Sequence, residues 1–293
     1  MERRTLFDGR LLPILLVLPQ LVISFIFFYW PAAAAVWSSL LTQDAFGQGS
    51  VFVGLANFAD LLSDPRYLAT VGRTALFCAA VSAISMSVAL LLAVFADHEI
   101  RGRTIYRTLL IWPYAVAPAI SAVLWVFLLN PQVGLIGRML SRGGIDWNYA
   151  VSGGQALLLV ILASAWKQVS YNFIFFLAGL QSIPRAVIEA ARMDGSRGWR
   201  RFRTITLPLL VPTLFFLLVV NLTYAAFDTF GTIWAITQGG PGQATQTLVV
   251  QVYRDGVVNL DLGSSAAQSV LLMATIILLT AVQFRFLGRR TAG

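Results

Sequence analysis

Six long apolar segments dominate this chain and limit what it can fold into. They cover approximately residues 11–37, 71–96, 106–129, 156–180, 205–227 and 266–287. Each segment has the length of about 20 residues that an α-helix needs to cross roughly 30 Å of hydrocarbon. Since backbone polar groups find no partner in lipid, such segments are expected to be helical. The pattern predicts an all-α polytopic membrane protein with six transmembrane helices, which form a single domain over residues 1–293.

The composition supports a membrane protein and argues against an enzyme. Apolar residues make up 58% of the chain and charged residues only 12%, whereas a soluble domain carries about 25% charged residues. The single cysteine and the single histidine exclude an internal disulfide bond and any site built on several histidines. The chain contains no GxxxxGK[ST], HExxH or CxxC motif. We therefore expect no catalytic residues, no metal site and no cofactor bound by this chain.

The basic residues predict the orientation in the membrane. Fifteen of the 21 basic residues lie in the ranges 1–10, 97–107, 181–204 and 285–293, whereas the loops 38–73, 130–155 and 228–265 hold only five. Short loops rich in arginine and lysine stay in the cytoplasm, so both termini and the loop near residue 190 are predicted to be cytoplasmic. A net charge of +8 spread over such loops does not indicate a nucleic-acid partner, which would require a basic face on a soluble domain.

The most polar stretch of the chain is 184–208, which reads PRAVIEAARMDGSRGWRRFRTITLP. Pro184 suits the beginning of a helix, and Gly195 suits the left-handed residue that ends one. The adjacent Ala190 and Ala191 leave a surface that a partner could approach closely. Most loops are only connectors, so composition alone leaves two alternatives, a linker or a partner-binding segment.

Several polar side chains fall inside the predicted spans. Lys167 lies near the middle of the fourth span, where a charge is costly unless it faces water, a counter-ion or a solute. Ser170 and Tyr171 share its helical face, and Asn172 forms a second polar pair with Gln168. The alternatives are a solute pathway or internal bonds that hold helices together.

The fifth and sixth spans carry further candidates for a solute pathway. Asn221, Tyr224 and Asp228 are spaced to lie on one face of the fifth span, although Asp228 is near its outer end, where it could simply be solvated. Gln268 follows small polar residues at the beginning of the sixth span, which could serve helix packing instead. We expect these residues and those of the fourth span to face a shared cavity.

Two patterns predict local structure. The amphipathic spacing from Phe52 to Leu62 predicts a helix on the outer membrane surface. Pro113 and Pro118 predict a kink in the third span and free backbone carbonyl groups.

The polar stretch also contains a family motif. Glu189-Ala190-Ala191, Gly195, Ile205 and Leu207-Pro208 match every position of EAA-x3-G-x9-I-x-LP, the signature of binding-protein-dependent ABC importer permeases, at the place before the fifth span where the family has it. Two further stretches, Gly54-Leu55-x-Asn57-Phe58 and Gly239-Gly240-Pro241, resemble the carbohydrate-uptake, or maltose-type, branch. The chain is thus similar to this family over nearly its whole length.

The resemblance implies a fold, partners and a location. The fold would be that of a type I ABC importer permease in the bacterial cytoplasmic (inner) membrane, in contact with membrane lipid. The partners would be a second homologous permease, a homodimeric cytoplasmic ATPase that binds ATP and Mg, and a periplasmic solute-binding protein. In this family the loop with the motif is a coupling helix that docks on the ATPase. Carried onto this chain, Glu189, Ala190, Ala191 and Gly195 would make that contact, with Arg192 and Asp194 beside them.

Three alternatives for the cargo and the mechanism follow. The stretches 113–118, 166–173 and 261–269 resemble glycerol-phosphate importers of this branch, which implies sn-glycerol 3-phosphate or a glycerophosphodiester as the cargo. The same machinery could import a neutral sugar or oligosaccharide, stacked on Trp166, Tyr171 or Tyr224. A stand-alone secondary transporter is the third alternative, but it would leave the motif unexplained and would require inverted repeats.

Overall fold

The computed structural model describes residues 11–43, 49–97, 103–196 and 198–291, and most of them are helical. Some of the arginines used to predict the orientation lie outside the described residues, namely Arg3, Arg4, Arg10, Arg101 and Arg197. The prediction that the N terminus is cytoplasmic therefore applies to residues that lie outside the described part of the chain.

The helices follow one another along the chain with short connections. They are α1 Leu11–Ser24, α2 Trp30–Ser38, α3 Ala56–Ser63, α4 Pro65–Asp97, α5 Arg103–Ala115, α6 Pro118–Leu129, α7 Leu135–Arg142, α8 Gly153–Gln181, α9 Arg185–Met193, α10 Gly198–Arg201, α11 Leu207–Leu209, α12 Val211–Thr223, α13 Phe230–Ile236, α14 Leu248–Tyr253 and α15 Leu262–Thr291. π-Helical turns follow α1, α10, α12 and α14, at Phe25–Tyr29, Phe202–Thr206, Tyr224–Asp228 and Arg254–Val258. The strands are β1 Leu41–Gln43 and β2 Ser50–Phe52.

Five helical segments of the described chain are long and apolar enough to cross a membrane. They are Leu12–Ser38, Pro65–Asp97, Gly153–Gln181, Val211–Asp228 and Leu262–Arg285. Five of the six predicted spans are confirmed as candidate membrane helices in these places.

The predicted third span is not one straight helix. It consists of α5 and α6, and the helix axis bends by 105° between them. Pro118 occupies the first turn of α6, and Ala117 before it has an extended ψ of 141°, because a proline disfavours the helical conformation of the preceding residue. The proline pattern thus predicted the break, but not its size. The pair counts as a sixth span only if both helices together cross the membrane.

The chain divides into two compact units, Met1–Asp64 with Val252–Met273, and Pro65–Gln251 with Ala274–Gly293. The first unit contains a β-ribbon that the predicted all-α class omits. β1 and β2 pair in antiparallel register, with Leu41 opposite Phe52. Asn57 fixes the ribbon because its side-chain amide donates to the carbonyl oxygens of Ser39, at 2.8 Å, and Leu41, at 3.0 Å.

The ribbon also corrects the predicted surface helix of the outer loop. Phe52 belongs to β2, and Gly54 has a φ of +59°, a conformation that ends the strand and prevents a continuous helix. The helix therefore begins only at Ala56 and ends at Ser63.

In the second unit, α4 packs along α8. Small residues on α4, among them Ala89 and Ala93, face the buried aromatic rings of Phe173 and Phe176, with Leu217 of α12 completing the cluster. Small residues opposite large ones allow two helices to approach closely, which is how membrane helices gain packing energy. This packing determines which face of α8 is covered.

Candidate functional site

The motif stretch folds as a short helix with a well-defined end. Pro184 precedes α9, and the helix runs from Arg185 to Met193. Gly195 adopts a φ of +76°, its amide donates to the carbonyl of Arg192 at 3.1 Å, and the amide of Ser196 donates to the carbonyl of Ala191 at 3.0 Å. These two bonds form a Schellman motif. The predicted beginning and end of the helix are confirmed, including the left-handed glycine.

The residues of the motif differ in exposure. Glu189, Ala190 and Arg192 are exposed on α9, and Asp194 and Gly195 are exposed just after it. In contrast, Ala191 is only 4% exposed, so its methyl group packs within the chain. The exposed members present a small surface of mixed charge to any partner, while Ala191 faces the interior of the chain.

The fourth span, now α8, places its polar residues on two different faces. Ser170 and Asn172 are buried, at 1% and 0% exposure. Lys167 and Tyr171, one turn apart, are only half-buried. The structure therefore separates the predicted set, because only Lys167 and Tyr171 lie on the more open face.

The buried polar residues form a hydrogen-bonded cluster of three helices. The amide of Asn172 donates to the carbonyl oxygen of the Asn221 side chain at 3.0 Å, and Asn221 donates back at 2.7 Å. The hydroxyl of Ser85 on α4 donates to Asn221 at 2.8 Å. Ser85 was missed by sequence reasoning because a serine in an apolar span gives no signal of its own. Asn172 and Asn221 therefore serve to hold helices together, which is one of the two alternatives given for the polar residues of the spans.

The other residues predicted in the fifth span are more accessible. The hydroxyl of Tyr224 donates to the backbone carbonyl of Ser164 at 3.3 Å. Asp228 is exposed, and its carboxylate interacts electrostatically with Lys167. Tyr224 and Asp228 lie in a π-helical turn, which interrupts the α-helical spacing that placed them on one face with Asn221. Lys167 thus lies within electrostatic range of Asp228, a proximity that the spacing did not predict.

Gln268 belongs to the other compact unit. Its side-chain amide donates to the carboxylate of Asp255 at 2.7 Å and to the hydroxyl of Ser264 at 3.2 Å, and the residue is fully buried. The neighbouring Ser265 donates to the carbonyl of Val252 at 2.9 Å. These bonds give the polar residues at the beginning of the sixth span a packing role within that unit.

A row of aromatic rings next to Lys167 was also missed. Tyr114 of α5 lies 5.6 Å from Tyr171, which lies 4.8 Å from Phe175, and Phe175 lies 5.1 Å from Phe216 of α12 (centroid distances). Tyr171 and Phe175 are one helical turn apart, but the two outer rings come from other helices. Their alignment could not be predicted from spacing along one helix.

These features define a class of protein, a multi-pass helical membrane protein with polar groups in its spans and an exposed short helix in a basic loop. Residues 85–293 match the family described as "Binding-protein-dependent transport system inner membrane component", and the chain belongs to that family. It is therefore the permease subunit of an ABC importer in the cytoplasmic (inner) membrane, and ATP hydrolysis takes place in separate subunits. This membership removes the alternative of a stand-alone secondary transporter.

Individual relatives are similar along the whole chain. The sn-glycerol-3-phosphate transport system permease protein UgpA of Brucella abortus biovar 1 (strain 9-941) is 57% identical over 98% of both chains. The protein of the same name from Rhizobium meliloti (strain 1021) is 56% identical over 98% of both chains. A chain of a bacterial alginate ABC transporter, crystallised with an alginate pentasaccharide-bound periplasmic protein, has the same fold, with a TM-score of 0.79 at 24% identity over 93% of this chain and 92% of that chain.

Proposed function

We propose that this permease imports sn-glycerol 3-phosphate, with glycerophosphodiesters as related cargo. The observation that carries the proposal is the 57% identity to a relative whose name states this cargo, over 98% of both chains. Identity at this level over the full length leaves the same spans and loops in place, so the same solute is the simplest inference.

The chemistry of Lys167 suits such a cargo. Its ammonium group lies in the middle of α8 on the half-buried face, where a positive charge needs a counter-charge. The phosphate of the solute would provide it, and the Tyr171 hydroxyl one turn away could bond the glycerol hydroxyls. Asp228 would be the counter-ion of Lys167 when no solute is present. In this proposal Tyr224 borders the pathway, whereas Asn172 and Asn221 hold the surrounding helices. Ser170 is buried beside them in α8, and Gln268 has a packing role within the other compact unit.

The energy would come from partner subunits. We propose that both termini and the 184–208 loop face the cytoplasm, and that residues 1–293 form one permease domain beside a second homologous permease. Closure of a homodimeric ATPase around ATP and Mg would move α9 and open the cavity outward, where a periplasmic binding protein releases the solute. Hydrolysis would then return the cavity to the inward-facing state. The exposed Glu189 and Ala190 are the residues we expect on the ATPase surface.

The test is the ATPase activity of the complete transporter in proteoliposomes. The binding protein is added loaded either with glycerol 3-phosphate or with a maltose-like sugar. Stimulation by the glycerol 3-phosphate form is the expected result, and stimulation by the sugar form alone would overturn the proposal.

A neutral sugar is the second candidate, and the aromatic row from Tyr114 to Phe216 favours it. The rings of the row contact one another, and the outer rings of Tyr114 and Phe216 are 47% and 45% exposed, so their free faces could stack on a sugar ring. The same experiment distinguishes the two, because only the binding protein loaded with the transported cargo should stimulate the ATPase.

A further inference from the structure

The segment after the coupling helix carries a cluster that neither the motif nor the solute pathway explains. We call it the basic collar, and it consists of Trp199, Arg200, Arg201, Phe202 and Arg203. The family motif specifies no residue between Gly195 and Ile205, so the collar falls in its variable part. Its inferred role rests on the proposed cytoplasmic position of this loop.

The collar is helical and leads into the fifth span. α10 continues through the π-helical turn Phe202–Thr206 and α11, and ends next to α12. At 1.5 Å per residue, Arg203 lies about 3 Å and Arg200 about 8 Å before Ile205, where the apolar run begins. The headgroup layer extends roughly 5–8 Å beyond the hydrocarbon on each side. A hydrocarbon boundary at Ile205, where the apolar run of the sequence begins, would therefore place the three guanidinium groups in the headgroup layer.

The charges of the collar are available to a ligand. Arg200 and Arg203 are exposed and Arg201 is half-buried. Within the ranges that the structure describes, none of the three forms an ion pair with a carboxylate. Three unneutralised arginines close together attract anions, and guanidinium groups bind phosphate oxygens in pairs.

The aromatic members indicate that the anion is part of a membrane. Trp199 is 71% exposed, and its ring stacks on Phe202 with centroids 5.4 Å apart. A tryptophan of this exposure is unfavourable in water, but it is the residue type that concentrates at the border between lipid and water. Protein interfaces are also rich in tryptophan and arginine, so the position of the collar directly before the fifth span is what favours a lipid partner.

We propose that the basic collar binds the phosphate headgroups of anionic glycerophospholipids in the cytoplasmic leaflet. The three arginines contact the headgroups, and the stacked Trp199 and Phe202 lie at the acyl boundary. This contact holds the loop that follows α9 at a constant depth, so that movement of α9 is transmitted to the fifth span.

The experiment measures how lipids quench Trp199 in the complete transporter. The transporter is placed in phosphatidylcholine vesicles with about 30% phosphatidylglycerol, with bromine on the acyl chains of one lipid or the other. The fluorescence difference between the native chain and Trp199→Phe isolates this indole from the other seven tryptophans. We expect brominated phosphatidylglycerol to quench Trp199 several-fold more, per molecule, than brominated phosphatidylcholine.

Variants test the role of the charges. Each arginine at an anionic surface strengthens binding by roughly fivefold, so Arg200→Gln/Arg201→Gln/Arg203→Gln should abolish the preference, while the corresponding triple lysine variant should keep it. Arg138→Gln/Arg142→Gln on α7, which is predicted to face the other side, is the matched control and should change nothing. Equal quenching by both lipids in the native chain would overturn the proposal.

The competing partner gives a distinct result. If the collar docks on the ATPase, quenching seen in the permease subunits alone would disappear when the ATPase is added, and this would also overturn the proposal. None of these measurements requires a solute. A wrong cargo would therefore leave the lipid result intact, and a failed lipid result would leave the uptake of glycerol 3-phosphate intact.

Discussion

Asn172 and Asn221 exchange two hydrogen bonds between α8 and α12, one of 3.0 Å and one of 2.7 Å, with both side chains fully buried. Such a reciprocal pair fixes the rotation and the register of the two helices, because a shift by one residue would leave two amides unpaired. It thereby determines that Lys167 and Tyr171, and not Ser170, lie on the more open face of α8.

The pair predicts a non-additive effect on stability. Asn172→Leu and Asn221→Leu should each lower the free energy of unfolding by about 1–2 kcal/mol, since each removes both bonds of the pair and leaves the other buried amide with only its bonds to Ser85 or Leu217. The double variant should lose clearly less than the sum, because either single variant already removes the same two bonds between the amides. The measurement is unfolding of the purified protein in mixed micelles. Gln20→Leu, on an exposed part of α1, is the control, and additive losses would contradict the pairing.

We expect the positive charge of Lys167 to strengthen the binding of an anionic solute. Lys167→Met should raise the KM for glycerol 3-phosphate uptake about tenfold or more, because a hydrogen bond to a charged group contributes roughly 1.5–3 kcal/mol. Lys167→Arg keeps the charge and should retain most of the affinity. Uptake is measured with labelled solute in proteoliposomes, after the amount of assembled complex has been checked. An unchanged KM in the methionine variant would limit Lys167 to its interaction with Asp228.

Gly195 is expected to tolerate side chains poorly. Gly195→Ala places a Cβ in the left-handed region, at a φ of +76°, which costs about 1–2 kcal/mol, and the end of α9 should fray. We expect several-fold lower uptake with normal insertion, and a smaller loss for Gly195→Asn, because asparagine tolerates this conformation better.

The matched control is Gly154→Ala at the beginning of α8. That glycine has no positive φ and open space around it, so an alanine there should be neutral or slightly stabilising. Equal losses in the two alanine variants would show that the left-handed conformation is not the cause.

Glu189 tests the proposed contact with the ATPase. Glu189→Lys reverses the charge on an exposed face of α9 and should abolish uptake, while insertion and solute binding remain. The measurement is ATPase stimulation by loaded binding protein in the reconstituted transporter. Asp60→Lys, which changes another exposed acid, on α3, is the control and should remain active. Full activity of Glu189→Lys would exclude a docking role for this side chain.

The positions of the spans and the form of the coupling helix were predictable, because their causes are local. For a segment of about 20 apolar residues in lipid, the α-helix is the structure that satisfies the hydrogen bonds of every backbone group within the segment. Pro184 and Gly195 carry the conformational preferences that begin and end α9. The spacing of the motif was also sufficient to indicate the family, since it is read directly along the chain.

The β-ribbon, the 105° bend and the division of the polar residues were not predictable in the same way. β1 and β2 are three residues each, too short to give a periodic signal, and they depend on Asn57 from a later helix. Prolines indicate that a helix breaks, but the angle depends on what the two halves pack against.

The length of the apolar segments and the uneven distribution of arginine and lysine therefore indicate a multi-pass membrane protein, because lipid accepts few backbone structures. The motif is read separately, from the spacing of residues along the chain. The function of each polar side chain depended on neighbours from distant parts of the sequence. Lys167 and Asn172 are five residues apart in one helix, yet Asn172 is covered by α4 and α12 and bonded there, whereas Lys167 stays half-open near Asp228. Burial depends on packing between helices, and only the folded arrangement of α4, α8 and α12 could separate a structural amide from a candidate solute contact.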